Sequence, residues 1–381
     1  MDSYERHRRI WRFFYVLLHG PICRLFCLEH EDPEIKEPCL IVANHVTDWD
    51  PLLLAMSFPR LPLYYVASEH IFRQGLVSRV LCWLMEPIAR RKGAAGTDTV
   101  KACLRHLKDG HAVCLFAEGD ATWDGRTAQV FPATGKLARS SGAWLLTYRL
   151  EGAYLSKPRW GRGIRRGAVY GHPVKLYSPE ELHTMKAEEI TAAINHDLYE
   201  DAWERQREKP VSFRSKHSAE KLETALFLCP KCKKFGTLQS CRNILSCDCG
   251  LLLRVLDTGF FDPPEPFSTV AQWEDWQQSF LANTDFLEGT EIFRDSEMEL
   301  YRVSADHNDQ LLAKGDLVLL SECLRLVPHE FPLERISTMA MVQRRRLLLT
   351  CDSEYYELRT KKDINLRKYL SYWNTHKRKG R

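Results

Sequence analysis

The sequence predicts an α/β domain with a mixed sheet flanked by helices, followed by a small cysteine-rich segment and a β-rich C-terminal domain. In the first half of the chain, apolar runs alternate with helical stretches, a pattern typical of an α/β sheet. Five cysteines lie between residues 229 and 249, and short alternating segments follow from about residue 291. We therefore divide the chain into residues 1–30, 31–210, 226–256 and 257–381.

The composition and net charge of the chain argue against several classes of protein. The chain has 381 residues, of which 44% are hydrophobic and 27% charged, so it is not expected to be disordered. The 54 basic and 50 acidic residues leave a net charge of only +4, which argues against a nucleic-acid partner. We expect no cleavable secretory signal at the start of the chain, so the thirteen cysteines favour a reducing compartment with a metal site over a disulfide framework.

Residues 1–30 are predicted to form an amphipathic helix at a membrane surface. The apolar run at residues 13–23 lies between Arg12 and Arg24 and is too short to cross a bilayer, which takes about 20 residues. Basic residues followed by Trp11 and several other aromatic residues are typical of helices at a lipid interface. A helix packed on the protein's own core would show the same pattern. We expect a cytoplasmic protein, peripheral on the inner face of the cell membrane.

The predicted elements follow in order along the chain. Strands are expected at residues 38–43, 63–68, 112–117 and 143–150, and helices at 51–58, 99–107 and 135–140. Ser178 and Pro179 open a further helical region, and the charged residues 204–210 indicate a domain edge. A capping-box pattern at Thr269 starts another helix. The tail, with alternating segments at 298–303, 317–327, 336–342, 345–351 and 355–359 and a helix at 365–373, favours a small antiparallel barrel or bent sheet closed by one helix.

The motif Asn44-His45-Val-Thr-Asp-Trp-Asp50 joins a buried strand to a helix that opens with a proline. A turn at this point brings His45 and Asp50 together. A histidine with a carboxylate behind it is the arrangement of a general base, because the carboxylate fixes the tautomer and stabilises the imidazolium. Alternatively, Asp50 only caps the helix and His45 is a turn residue.

Two further motifs favour the catalytic interpretation. Ile-Ala-Arg90-Arg91-Lys92-Gly follows, and then Phe-Ala-Glu118-Gly119-Asp comes directly after a predicted strand. The order of these boxes over roughly residues 35 to 175 resembles the lysophospholipid acyltransferase family, the bacterial 1-acylglycerol-3-phosphate acyltransferases.

The resemblance implies transfer of a fatty acyl chain from a thioester, on coenzyme A or acyl carrier protein, to the hydroxyl of a lysolipid acceptor. His45 would be the general base and Asp50 would orient it, with Asn44 beside them at the acceptor site. Arg90, with Arg91 and Lys92, would hold a phosphate, and Glu118 and Gly119 would line the acceptor site as a second group of substrate-binding residues.

The third box departs from the family pattern. The family usually has Phe-Pro-Glu-Gly-Thr-Arg, whereas here Ala117 replaces the proline and Ala121 stands in the place of the arginine. A cationic contact is therefore lost, unless Arg126 or Lys136 replaces it. The acceptor could then be another lysolipid, or the protein could be a weakly active or inactive lipid-binding scaffold that recruits a partner through its C-terminal segments.

The cysteine-rich segment resembles a zinc ribbon. Cys229 and Cys232 form one pair and Cys247 and Cys249 a second, and four thiolates around one ion form a closed structural site. Because the second pair is one residue shorter than the common spacing, Cys241 is an alternative ligand. The tail, over about residues 290–378, resembles a pleckstrin-homology-like barrel, with no motif to support the likeness.

Overall fold

The structure, a computed structural model, describes residues 3–35, 37–68, 76–90, 96–303 and 309–379. The chain divides into two compact units. Unit 1 comprises residues 1–216 and 257–259, and unit 2 comprises residues 217–256 and 260–381. The N-terminal helix thus belongs to the same unit as the α/β domain, and the cysteine-rich segment to the same unit as the β-rich tail.

Unit 1 is built on a seven-stranded mixed sheet with the strand order β1-β7-β6-β2-β5-β3-β4. Only β6 and β7 pair antiparallel; the other pairs are parallel. The strands are β1 (Leu28–His30), β2 (Cys39–Ala43), β3 (Leu63–Ser68), β4 (Ile88–Arg90), β5 (Ala112–Leu115), β6 (Trp144–Glu151) and β7 (Val169–Tyr177). The predicted mixed α/β sheet is confirmed.

Nine α-helices are described in unit 1, among them several short ones. They are α1 (Ser3–Phe26), α2 (Asp50–Ala55), α3 (Leu76–Met85), α4 (Thr97–Lys108), α5 (Ala133–Ser141), α6 (Ala153–Ser156), α7 (Pro179–Thr184), α8 (Ala187–Leu198) and α9 (Ala202–Glu208). The Ser178 hydroxyl accepts a hydrogen bond from the Glu181 amide and caps α7, as the Ser-Pro pair predicts.

The central position of β2 explains its composition. This strand lies between β5 and β6, and all five of its residues are buried. A parallel strand covered on both faces has no solvent side, which accounts for an unbroken apolar run in place of an alternating one. The strand therefore carries the residues that follow it, Asn44 and His45, to the carboxyl edge of the sheet, where ligands bind in open α/β sheets.

Unit 2 contains two antiparallel sheets. The first has the order β11-β10-β9-β8 and comprises β8 (Leu238–Cys241), β9 (Ile244–Cys247), β10 (Leu251–Val255) and β11 (Phe261–Asp262). The second has the order β15-β14-β13-β12-β18-β17-β16 and comprises β12 (Glu291–Val303), β13 (Asp309–Leu320), β14 (Cys323–Leu326), β15 (His329–Pro332), β16 (Ile336–Val342), β17 (Arg346–Cys351) and β18 (Glu354–Arg359).

Two helices accompany these sheets, α10 (Val270–Asn283) and α11 (Arg367–Lys379). The Thr269 hydroxyl accepts from the Gln272 amide, so the predicted cap of α10 is present. The alternating pattern predicts a single segment at residues 317–327. In the structure, a turn at Ser321 and Glu322 divides these residues between β13 and β14. A seven-stranded antiparallel sheet with one terminal helix agrees with the predicted β-rich tail; its pleckstrin-homology-like identity stays a prediction.

Candidate active site

The structure brings His45 and Asp50 together at the turn between β2 and α2. Nδ1 of His45 lies 2.7 Å from Oδ2 of Asp50. The His45 side chain is 20% exposed, whereas that of Asp50 is fully buried. The ring of His45 stacks on Phe116, with centroids 4.7 Å apart. Because Nδ1 faces the carboxylate, Nε2 is the nitrogen left to act on a substrate.

Asp50 is held in place by the turn itself. Its Oδ2 also accepts hydrogen bonds from the amides of Val46, at 2.6 Å, and Thr47, at 2.9 Å. Burial raises the pKa of this carboxyl, while the hydrogen bond from His45 opposes the rise. A carboxylate with three N–H donors on one oxygen is fixed in position and can orient the imidazole.

Asn44 links β2 to β6. Its amide nitrogen donates to the Leu150 carbonyl at 2.9 Å, and its carbonyl oxygen accepts from the Leu150 amide at 2.8 Å. Both polar groups of this buried side chain are thus hydrogen-bonded to the backbone of β6. The contacts give Asn44 a positioning role beside His45, and its predicted contact with substrate stays a prediction.

Glu118 connects the histidine to the following loop. Oε1 accepts from the His45 amide at 2.6 Å and Oε2 from the Ala128 amide at 2.7 Å. Burial raises the pKa of Glu118 from its ordinary value of 4.5 to about 7. The sequence predicted a substrate contact for Glu118 but gave no sign of this bridge between two backbone segments.

The backbone amides of residues 45–47 are all engaged. The His45 amide donates to Glu118, and those of Val46 and Thr47 donate to Asp50. These three amides therefore stabilise the two carboxylates.

Position 119 requires a glycine for two reasons: its backbone conformation and the lack of room for a side chain. Its φ is +83°, and a Cβ at this position would lie 2.5 Å from the ring of Phe131. The guanidinium of Arg90 lies over the same ring, 4.5 Å from its centroid. Gly119 thus lets Phe131 pack closely, and Phe131 supports Arg90. Arg91 and Lys92 lie outside the described residues.

An arginine from a distant part of the chain, Arg159, contacts the third box. Nη1 of Arg159 lies 2.6 Å from Oδ1 of Asp120 and donates to the carbonyl of Ala121 at 3.2 Å. The suggested replacement Arg126 is instead bound to Asp124, with Nε 2.8 Å from Oδ2. Only the fold brings a residue 38 positions along the chain to Ala121, so the local sequence held no signal for Arg159.

The four predicted zinc ligands form one cluster in unit 2. The sulfurs of Cys229, Cys232, Cys247 and Cys249 all lie within 4.8 Å of one another, with 3.6 Å between Cys229 and Cys249. Four thiols at this separation fit a tetrahedral zinc ion, whose sulfur ligands lie about 2.3 Å from the metal. Cys241 is exposed at the end of β8 and is not part of the cluster.

The N-terminal helix has one packed face and one exposed apolar face. His7, Ile22 and Phe26 are buried. On the other side Val16 is 82% exposed, and the remaining exposed apolar side chains of α1 are Phe13, Leu17 and Leu25. Within the part of the chain that the structure describes, no helix has the length and apolar content that a membrane span requires.

Comparison with known proteins supports the family suggested by the motifs. Residues 26–151 match the family model described as Acyltransferase. A probable 1-acyl-sn-glycerol-3-phosphate acyltransferase from Mycoplasma genitalium is 25% identical in an alignment 184 residues long, and the match covers 44% of this chain and 66% of that protein. The chain thus spans slightly less than two thirds of the length of this relative.

A solved structure is also similar. The 1-acyl-sn-glycerophosphate (LPA) acyltransferase, PlsC, from Thermotoga maritima is 17% identical, with a TM-score of 0.40, and the match covers 51% of this chain and 76% of that one. The segment of unit 1 that matches the Acyltransferase family model contains the His45–Asp50 pair. The family match and the curated relative are thus both similar to this part of the chain in the direction that the motifs indicate.

Proposed function

We propose that this protein transfers a fatty acyl chain from a thioester donor, acyl-CoA or acyl carrier protein, to the hydroxyl of a lysophosphatidate-like acceptor. The observation that carries the proposal is the contact of His45 Nδ1 with the buried Asp50 carboxylate, because it leaves Nε2 as the basic nitrogen at the partly exposed edge of the site. The family match over residues 26–151 supports the same reaction class.

In the proposed reaction, His45 Nε2 accepts the proton of the acceptor hydroxyl as its oxygen attacks the thioester carbonyl carbon. A C–O bond forms, the C–S bond breaks, and the imidazolium returns the proton to the leaving thiolate. Asp50 stabilises the imidazolium, and its three N–H contacts keep it from rotating away. General-base help of this kind is worth about 10²- to 10⁴-fold in rate.

The cationic contact to the acceptor phosphate is assigned to Arg90. Its partly buried guanidinium is positioned by the Phe131 ring, and burial lowers its pKa from the ordinary arginine range without removing its charge near neutral pH. A planar guanidinium can bind two phosphate oxygens at once. Phosphate-bearing lysolipids are therefore the proposed acceptors.

The proposed place of action is the inner face of the cell membrane. The acceptor and the product are lipids, and the exposed apolar face of α1, on which Val16 is the most exposed side chain, offers a surface that can enter the headgroup region. In unit 2, the cluster around Cys229 is proposed to hold one structural zinc ion. Four sulfur ligands leave no position for a reacting water, so this metal supports folding and not acyl transfer.

A lysolipid panel tests the activity. Purified full-length protein is given lysophosphatidate, lysophosphatidylcholine and lysophosphatidylethanolamine with acyl-CoA and acyl-carrier-protein donors. His45→Ala and the exposed-site variant His183→Ala are measured alongside. We expect acylated product from lysophosphatidate with wild type and His183→Ala, and about 10²- to 10⁴-fold slower product formation with His45→Ala. Equal product from wild type and His45→Ala, or none with any acceptor, would refute the enzymatic proposal, and the second outcome would favour a lipid-binding scaffold.

Sedimentation with vesicles tests the membrane surface. Wild-type protein should bind vesicles containing anionic lipid, and Val16→Glu should bind more weakly because it places a charge on the exposed face of α1. Leu287→Glu changes an equally exposed leucine of unit 2 and serves as the control. Equal binding by all three proteins would contradict the assignment of this surface.

A further inference from the structure

A second group of metal-ligating side chains lies in unit 1, where α1 meets the sheet. His19, Cys23 and His30 place one nitrogen or sulfur atom each within 4.8 Å of the others. Nε2 of His19 and Nε2 of His30 are 2.9 Å apart. All three residues are partly buried. This group shares no residue with the four-cysteine cluster of unit 2 or with the His45–Asp50 pair.

The local fold explains why these three residues meet. His19 and Cys23 are four residues apart on α1 and therefore share one face of the helix. Cys27 then adopts a left-handed conformation, with φ of 48°, and turns the chain directly into β1, which ends at His30. Strand β1 is fixed by its parallel pairing with β7. The helix thus supplies two donors and a strand of the sheet supplies the third.

The surroundings of the two histidines are those of metal ligands. A carboxylate oxygen of Asp32 lies 3.0 Å from Nδ1 of His30, on the side of the ring away from His19. Metal-binding histidines commonly have a carboxylate near the nitrogen that does not bind the metal. Here the two atoms are close, while their angles are not those of a hydrogen bond. The Tyr15 ring packs on His19, with centroids 4.9 Å apart, and limits its rotation.

We propose that His19 Nε2, Cys23 Sγ and His30 Nε2 bind a zinc ion. Two imidazoles and one thiolate are a donor set that zinc prefers, and bond lengths of about 2.0–2.1 Å to nitrogen and 2.3 Å to sulfur place neighbouring donors about 3.3–3.6 Å apart. The two nitrogens need to separate by only a few tenths of an ångström to reach this spacing. A tetrahedral ion keeps its fourth position for water, and the site would tie the last turns of α1 to β1.

Zinc stoichiometry of the full-length protein tests the proposal. Protein stripped with a chelator and dialysed is titrated with zinc(II) in competition with a chromophoric chelator, using wild type, His19→Ala, His30→Ala and the exposed control His183→Ala. We expect His19→Ala and His30→Ala each to bind one equivalent per chain fewer than wild type and the control. This difference is expected whether or not the cysteines of unit 2 bind zinc, because that site is unchanged in all four proteins.

A conservative variant separates metal binding from a structural role of the histidines. Cys23→Ser removes the thiolate but leaves the contact between His19 and His30. We expect it to weaken zinc binding at this site at least tenfold, and to lose the zinc-dependent rise in the melting temperature that this site contributes in wild type. If His19→Ala, His30→Ala and Cys23→Ser all bind as many equivalents as wild type with unchanged affinity, the two rings only share a hydrogen bond and the proposal is wrong.

Discussion

Replacement of Asp50 by asparagine tests how much the buried carboxylate contributes to the proposed reaction. Asparagine has nearly the same shape, so its carbonyl oxygen can keep the contacts that Oδ2 makes with His45 Nδ1 and the amides of Val46 and Thr47. Its NH₂ group then takes the place of Oδ1, which is buried and has no hydrogen-bond partner among the described residues. An unsatisfied donor there costs about 1–3 kcal/mol, partly offset because a buried charge has been removed.

The expected effect on rate follows from the lost charge. An imidazolium and a carboxylate whose charge centres are about 4 Å apart attract each other by roughly 4 kcal/mol at an effective dielectric constant of 20. Each 1.36 kcal/mol of barrier is about tenfold in rate, and the amide dipole of asparagine retains part of the attraction. We therefore expect kcat to fall about 10²- to 10³-fold in Asp50→Asn, with KM little changed because Asp50 is fully buried.

The assay is steady-state acyl transfer to lysophosphatidate, with circular dichroism to verify folding. Asp48→Asn is the matched control, since it makes the same charge change at an exposed position of the same turn. An Asp50→Asn variant that folds and retains activity within about threefold of Asp48→Asn would refute the assignment of Asp50.

Three further predictions concern Glu118, Gly119 and the cysteine cluster. The raised pKa of Glu118 means that the folded protein binds a proton more tightly than the unfolded chain, so the free energy of unfolding should fall by up to about 3 kcal/mol as pH rises from 4.5 through 7. Urea unfolding at several pH values should show a flatter dependence in Glu118→Gln; identical slopes would contradict the prediction. Gly119→Ala forces an alanine into φ of +83° against Phe131, and should lower the free energy of unfolding by at least about 1–2 kcal/mol and reduce activity. Gly142→Ala, at φ of +64° with open space around it, is the control that separates conformational strain from the clash, and equal effects of the two would refute the role of Phe131. Chelation of zinc should raise amide hydrogen exchange in residues 229–250; unchanged exchange would contradict a structural metal there.

The elements that could be predicted are those with strong local patterns. Strand β3 at Leu63–Ser68 and strand β16 at Ile336–Val342 have the predicted bounds, because turn residues or charges flank a β-branched or aromatic run. The helix caps at Ser178 and Thr269 were also visible, since a cap is defined by residues three positions apart. His45 and Asp50 could be paired because one short turn contains both.

The features that could not be predicted depend on long-range contacts. The side chain of Asn44 forms hydrogen bonds with the backbone of Leu150, 106 residues away. The carboxylate of Glu118 accepts a hydrogen bond from the amide of His45, 73 residues away. Arg159 reaches Ala121 only because the fold brings their loops together. His30 meets His19 and Cys23 over a shorter separation, but only because the chain turns at Cys27 with a left-handed conformation that the sequence did not signal. A motif fixes which residues are present, while such contacts decide whether each one faces a substrate or the backbone.

We infer that His45 is the general base for acyl transfer, and a His45→Ala variant distinguishes this role from a structural one. The measurement is kcat for transfer to lysophosphatidate by wild type and by His45→Ala, with and without added imidazole. We expect a fall of about 10²- to 10⁴-fold on substitution, and partial recovery as imidazole enters the space left at the partly exposed ring. A folded His45→Ala protein that transfers the acyl chain at the wild-type rate would contradict the claim.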